Sequence, residues 1–477
     1  MKKSSKVDIV IAPTKNNITK EDFVYSKNIS LELTHKELSA NTGLIFFNHL
    51  FENLNLSKRL SRILPKKKRN RGPSQINKFK SLLFAFAAGA DSLSDIDDFD
   101  GDKLFSTLSD GGVASRTIGD FLRSLSSRKI QLLQDLLVDM AFALRRTIHN
   151  DNDFILTMDS TPHEHFAKKK EGMSWNYKNY WCLDSQNAYD QHGFSYLFDL
   201  RPGRTHSGKD SELWIRKIFS RIPSGVNRFF RADSAYGKHA VYEALEAADA
   251  KFAIVLRDSV ARHVRKWNKN LITWKKSNLY FFDSNECEVA MGLYPVKKLG
   301  NFRVVFIRAP KKDYQPELFD DPSERYHYYS IITNISSFEK SDEEIIEFYR
   351  GRADAENFIR EQKYGYDFLN FPCQKLNANK VYGLIGTFCH NMMRYLSFCL
   401  PQKMKRVRGK DKKIRTVIQS GYFAKKVRNS LIKLPCQVVT HARKLVLKVS
   451  PKTKEVFDKV MENLNWQNSL PTNLSVL

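Results

Sequence analysis

No apolar run in this sequence is long enough to cross a membrane. A helical span needs about 18 to 20 predominantly apolar residues, and the longest stretch, 82–90, is about half that before it meets Asp91. The N-terminal segment reads as a poor secretory signal, because its apolar patch from Val7 to Ala12 is short and contains Asp8. Cysteine is sparse: six are scattered over 477 residues without a CxxC pair, which argues against a disulfide framework and against a cysteine zinc site, and reads as free, reduced thiols. Proline numbers only 15 while hydrophobic residues make up 42%, so a disordered or low-complexity scaffold is excluded in favour of a globular chain. Acids are in short supply. Against 78 Lys+Arg stand 52 Asp+Glu, a net charge of +26, which points to a polyanionic partner, nucleic acid ahead of an anionic membrane.

The patterning divides the chain. Residues 1–45 read as an irregular N-terminal arm. Over 46–150 apolar residues recur at helical spacing, as in Leu132, Leu133, Leu136, Leu137 and Met140, and predict a helical domain. Within it, 58–71 carries Lys58, Arg59, Arg62, Lys66, Lys67, Lys68, Arg69 and Arg71 with no acid, a basic loop suited to DNA phosphates. The acidic stretch 91–102 offers no EF-hand register and reads as a solvated turn. Strands are expected at 154–158, 179–183, 194–200, 228–232 and 252–256, with helices at 211–222 and 238–250. This is an α/β core of mixed strand direction over 151–257 that resumes at 327–400. Residues 258–326 between its two parts read as a β-rich insertion with almost no helical period. The core then closes with a strand at 328–335 and helices at 341–365, with Ser341 as N-cap, and 377–400. Residues 401–477 form a basic C-terminal region. Its first part, 401–450, holds 15 Lys+Arg against one acid, Asp411.

Asp159 and Asp233 each end an apolar strand and precede a serine. Strand-end carboxylates suit a hard cation such as Mg²⁺ that keeps water and substrate phosphate, although a strand-end Asp also serves as a turn former or helix cap. On the helix from Ser341, the residues Tyr349, Arg352, Glu356 and Lys363 fall within an arc of roughly 60°. A Glu flanked by two cations on one face fits a site that holds metal and polyanion together; the alternative is a solvated stripe of ion pairs.

Asp159, Asp233 and Glu356 in this order, with Tyr349-x2-Arg352-x3-Glu356-x6-Lys363, resemble the DDE transposases of bacterial insertion sequences that carry the Tyr-Arg-Glu-Lys signature. The stretches Arg201-Pro-Gly-Arg-Thr-His-Ser-Gly and Leu434-Pro-Cys-Gln-Val-Val-Thr-His-Ala-Arg-Lys-Leu-Val-Leu are similar to one branch, the thirteen-eighty group. The resemblance covers most of 45–450. It implies a ribonuclease-H-like catalytic core with a mixed sheet, a β-rich insertion before the catalytic Glu, and a helical N-terminal DNA-binding domain. Asp159, Asp233 and Glu356 are then the catalytic ligands of two Mg²⁺ ions, for which Mn²⁺ can substitute. Tyr349, Arg352 and Lys363 position phosphates of the terminal strand. The implied substrate is double-stranded DNA, element ends and target, held by a homodimer in the synaptic complex of a nucleoid-associated cytoplasmic protein. Two other readings of the same residues are a ribonuclease-H-like nuclease without strand transfer and a DNA-binding regulator derived from a transposase.

Between the two aspartates, Gly203-Arg-Thr-His-Ser-Gly-Lys209-Asp210 approaches a P-loop, but Asp210 stands where the magnesium-binding hydroxyl belongs, so no nucleotide cofactor is expected. Its Arg204 and His206 are read as part of a loop near DNA, and Asp210 and Glu212 as first-turn acids. His163 and His165 have no metal-ligand spacing and read as turn histidines near the active site. In the insertion, Trp274 lies among cations; it either stacks on a DNA base, a role that related transposases give to an aromatic side chain of this domain, or packs the insertion's own core.

Overall fold

The helical periodicity of the N-terminal third becomes the α-helices α1 (Leu44–Asn53), α2 (Leu56–Ile63), α3 (Gln75–Ala88), α4 (Lys103–Leu108), α5 (Ser115–Arg123) and α6 (Ser127–Ile148). They are preceded by the short strands β1 (Val24–Ser26), β2 (Ile29–Ser30) and β3 (Leu38–Ser39). The computed structural model describes residues 24–26, 29–30, 34–67, 71–312, 314, 322–401, 403–408, 414–419, 421–442 and 444–466. Most of the N-terminal arm, together with Lys68 and Arg69, lies outside the described residues. Ser74 caps α3 by accepting from the Asn77 amide, and Gly89 ends it with φ 96°. The helices share one apolar core with the sheet: the Phe142 ring of α6 meets the strand residues Phe154 at 5.3 Å and Tyr196 at 4.7 Å. The acidic stretch, expected as a solvated turn, winds Ser94–Phe99 into a 3₁₀-helix with Ile96 buried. Asp95 accepts from the Asp91 and Ser92 amides, and Asp102 caps α4 through the Phe105 amide.

Ten strands build one mixed sheet: β4 (Asp153–Glu164), β5 (Ser174–Trp175), β6 (Trp181–Tyr189), β7 (Ser195–Pro202), β8 (Asn227–Ala232), β9 (Ala250–Val255), β10 (Lys275–Ser277), β11 (Cys287–Val296), β12 (Gly300–Pro310) and β13 (Tyr326–Thr333). Helices α7 (Ser211–Phe219) and α8 (His239–Glu246) connect β7 to β8 and β8 to β9. The centre, β4–β8–β9, is parallel; β6 and β7 on one side, and β13, β12, β11 and β10 on the other, pair antiparallel.

The fold departs from expectation in and around this sheet. The strand placed at 179–183 is β6, Trp181–Tyr189, whose buried Ser185, Gln186 and Asn187 disguise it as a polar connection. Hydrogen bonds satisfy much of this buried polarity: the Gln186 amide nitrogen donates to the Ser207 carbonyl at 2.9 Å and Asn187 donates to Ser185. The 258–326 segment opens with a helix, α9 (Asp258–Trp267), whose buried face is only Ala261 and Val264, too narrow to register among its charges. Its strands do not form a separate sheet. They continue the core sheet outward from β13, whose open edge β12 pairs along Arg303 to Pro310.

The helix expected at 341–365 is two helices, α10 (Asp342–Arg350) and α11 (Ala353–Gly365). Ser341 caps α10 as expected, in a capping box with Glu344. The chain breaks where Gly351 passes the buried Arg231 guanidinium, which donates to the Phe348 carbonyl at 3.0 Å and to Thr157. A Cβ on Gly351 would lie 2.0 Å from Arg231 Nη1.

Behind the sheet runs α12 (Leu376–Cys399), packed on α6 and β7. A hairpin, β14 (Lys403–Arg408) and β15 (Ile414–Gln419), follows, then α13 (Ala424–Val427), β16 (Cys436–His441), β17 (Lys444–Lys448) and α14 (Pro451–Trp466). This basic region is not a detached tail. Val427, Leu431 and Ile432 are fully buried, Arg428 donates to the Phe86, Ala87 and Gly365 carbonyls, and β16 pairs with β3. All six cysteines are buried. Among the described residues no helix is long and apolar enough to cross a membrane.

Candidate active site

Parallel pairing of β4 with β8 runs from Asp153↔Asn227 to Met158↔Ala232 and stops there. Asp159 and Asp233 are the next residue on each segment, so they stand side by side where the parallel pairing of the two strands ends. Ligand crevices of open α/β sheets form at such ends. Asp159 differs from expectation in one respect: it does not end its strand, because β4 continues to Glu164 against β6. Asp233 also serves as a cap, accepting from the Ala235 amide at 2.9 Å, so the ordinary strand-end role and a site role coexist.

Helix α11 faces these ends and brings Glu356 across the cleft. Arg352, at the α10–α11 break, lies between: it donates to Asp159 Oδ2 at 2.9 Å and to Glu356 Oε1 at 2.9 Å. Its Nε donates to the Tyr349 hydroxyl at 3.0 Å, and that hydroxyl also accepts from Tyr329. Tyr349 is buried at 7% exposure, so it aims Arg352 from beneath and does not line the cleft. Burial pushes the Asp159 carboxyl up to about 6 against the opposing pull of the Arg352 charge, while the neighbouring phenol and carboxylates hold Arg352 firmly protonated.

Among the described residues no group of three or more His, Cys, Asp or Glu side chains stands closely enough to hold a metal ion as arranged. Arg352 accounts for this, since its guanidinium takes the space between Asp159 and Glu356. The same observation bears on fit: two carboxylates that converge on one cation, with a third beside them, are an oxygen donor set suited to a hard divalent ion.

The cleft, of about 490 Å³, is lined by Asp159, Asp233, Arg352, Glu356 and Lys363. A family model described as transposase DDE domain group 1 matches residues 22–469. The chain belongs to that family. No curated protein matches the sequence.

Other members of the sequence-derived set fall differently in this transposase. Lys363 is half-buried and donates to the Pro162 carbonyl at 2.7 Å, which ties α11 to β4; burial lowers its pKa. In the 203–210 loop, Gly203, Thr205 and Ser207 line the cleft, whereas Arg204 and His206 alternate to the exposed side. The two glycines serve close packing: a Cβ at Gly203 would lie 2.1 Å from the Cys182 carbonyl oxygen, and one at Gly208 2.2 Å from that of Ala235. Asp210 takes φ 59° at the start of α7 without capping it, a correction to its reading as a first-turn acid, while Glu212 pairs with Lys238 at 2.6 Å.

His163 is corrected from a turn residue to a core one. It is 2% exposed, bonded to the Phe368 carbonyl at 2.6 Å and Ser185 at 2.7 Å, and burial lowers its pKa to about 3. Lys66 and Lys67 lie on the α2–α3 connection, where Lys67 donates to the Gly72 carbonyl, and neither lines this cleft. Trp274 is half-buried, carries the Arg308 guanidinium at 4.1 Å and meets the Tyr328 ring at 6.1 Å. Sequence reasoning missed Arg360, Tyr364, Asp184 and Lys178, which also line the cleft. Arg360 and Tyr364 follow Glu356 at steps of four and were readable from helical spacing.

Gly351→Ala tests how the cleft is assembled. The added methyl must displace a buried guanidinium fixed by three hydrogen bonds, at a cost of about 1–3 kcal/mol as for other overpacked sites, and it shifts Arg352 and Glu356. The expected result is a lowered melting temperature together with reduced cleavage. Unchanged values of both would show that Arg231 yields freely.

Proposed function

We propose that this transposase binds the terminal inverted repeats of its mobile element, hydrolyses a phosphodiester there to free a 3′-OH, and transfers that end into target DNA. The observation that carries the reading is the convergence of Asp159 and Asp233, where the parallel β4–β8 pairing ends, with Glu356 on α11 in one cleft flanked by Arg352, Arg360 and Lys363. Asp159, Asp233 and Glu356 would hold the divalent ions, Mg²⁺ or Mn²⁺. When bound, such ions activate the attacking oxygen and stabilise the leaving one, so no protein nucleophile is needed. Arg352, which lies in the same cleft, would meet phosphate oxygens. Lys363 would hold a phosphate of the terminal strand. Joining two ends in one event calls for two copies of the chain in the working complex.

The test incubates the protein and Mg²⁺ with DNA carrying the sequences that flank its reading frame, intact or pre-cut, and a target plasmid. Joined products support the reading; cutting without joining reduces it to a nuclease. Lys363→Ala is expected to weaken binding of the cut end by roughly tenfold to a hundredfold, the weight of one charge-assisted hydrogen bond, with a partial loss of cleavage. Equal affinities of variant and wild type in a gel-shift titration would count against its phosphate contact.

A further inference from the structure

We infer that the β4–β6 hairpin, residues 164–181, carries a base-stacking subsite that takes unpaired nucleobases of the DNA strand engaged in the adjoining cleft; this rests on the DNA-cutting reading above. The hairpin exposes aromatic rings that a folded chain normally covers. Phe166 is fully exposed, Tyr177 is 80% and Trp175 62% exposed, and Tyr180 is 41%. Trp175 and Trp181 are cross-strand partners in β5 and β6, with ring centroids 5.6 Å apart. With His165, Phe166, Lys168 and Tyr180 they line a second concavity of about 590 Å³.

Three features select nucleobases as the occupant. The first is proximity: Asn176, Tyr177 and Lys178, at the tip of the hairpin, line the catalytic cleft, while their neighbours Trp175, Asn179 and Tyr180 line the aromatic concavity. The second is charge. Lys168, Lys169 and Lys178 are exposed around the rings, Lys178 lies 5.6 Å from the Tyr177 ring centre, and the pocket acid is Glu164. Phosphates can therefore run along the lysines while bases lie on rings, the pairing that single-strand binding uses. The third is rigidity. Asn176 Oδ1 accepts from the Lys178 and Tyr180 amides at 2.9 Å each, and Asn179 holds φ 58°, so the turn is pre-formed and little order is lost on stacking. An aliphatic partner surface would find few aliphatic side chains here. Trp274, by comparison, already carries Arg308 on its ring.

The experiment uses the full chain and two probes, a short fluorescently labelled oligothymidylate and a fully paired duplex of equal length. Phe166→Ala and Trp175→Ala are each expected to weaken oligothymidylate binding by about tenfold, since a stacked base is worth roughly 1–3 kcal/mol, with a smaller effect on the duplex. Phe166→Tyr and Trp175→Phe should restore it, because a ring suffices for stacking. Phe166 makes no buried contact, so its variant should melt like wild type. Equal oligothymidylate affinity of wild type and both alanine variants overturns the subsite. So does a change of oligomeric state in Phe166→Ala with unchanged oligothymidylate binding, which would assign the patch to a second copy of the chain. Normal cleavage and joining by both alanine variants, with unaltered oligothymidylate binding, would sink the subsite and leave the proposed function standing. Ring-dependent binding in a protein that never cuts would do the reverse.

Discussion

Glu356→Gln is expected to abolish cleavage while leaving the affinity for terminal DNA nearly unchanged. The amide has the shape of the carboxylate and can still accept from Arg352 Nη2, so the bridge across the cleft is kept. Its side chain is 59% exposed, which leaves stability unaffected within a few tenths of a kcal/mol, about the range of surface changes. What disappears is the negative charge, and a neutral oxygen is a poor ligand for a hard divalent ion. Cleavage of a labelled terminal duplex in Mg²⁺ should therefore fall to background, alongside gel-shift titrations that superimpose on wild type. Metal-dependent cutting that survives in the variant would remove Glu356 from the metal-holding role. A parallel loss of DNA binding would instead make it a contact residue.

Removing residues 421–449 should prevent folding, not simply weaken DNA binding. The segment is basic, and its sequence also carries apolar runs suited to docking on the core. Its interior is part of the core: Val427, Leu431 and Ile432 are fully buried, and each large apolar side chain taken away costs about 2–5 kcal/mol. Arg428 satisfies three carbonyls at the ends of α3 and α11, and the Thr42 and Gly43 amides donate to the Leu434 and Ile432 carbonyls. Marginal folding stabilities of about 5–15 kcal/mol do not survive such a loss. The expected outcome is an insoluble chain or one without a cooperative melt; a soluble product with a wild-type transition would refute it. The charge question is better put to the exposed lysines alone. Reversing Lys425, Lys426, Lys444 and Lys448 to Glu should leave the melt intact and flatten the salt dependence of DNA binding, by about 0.9 in log-log slope for each phosphate no longer neutralised. An unchanged slope would make the stretch a solvated face.

The acidic triad was legible because each member is announced locally. Asp159 and Asp233 follow apolar strand residues, and Glu356 shares a helical face with Arg352 and Lys363, so two short-range periodicities were enough to nominate all three. The +26 charge likewise pointed to a polyanionic partner from composition alone. Elements whose partners are distant in sequence were not legible. β6 hides its strand character behind Ser185, Gln186 and Asn187, of which Ser185 is bonded by His163 on β4 and Gln186 donates to the Ser207 carbonyl of a later loop. His163 reads as a turn residue until Phe368, 205 residues further on, is seen to bond its ring nitrogen.

By itself, the sequence determined which residue types lie on which strand end or helix face, since alternation and helical spacing are properties of neighbours along the chain. Tertiary structure decided what those residues meet. It placed Asp159 beside Asp233 by pairing β4 with β8, broke the 341–365 helix where Gly351 passes Arg231, and set Arg352 between two carboxylates 193 and 4 residues away. It also left the hairpin aromatics uncovered. Each of these outcomes depends on which surfaces the packed core brings together, and contacts across such separations are selected by the burial and hydrogen-bond satisfaction of the whole chain, which no local pattern records.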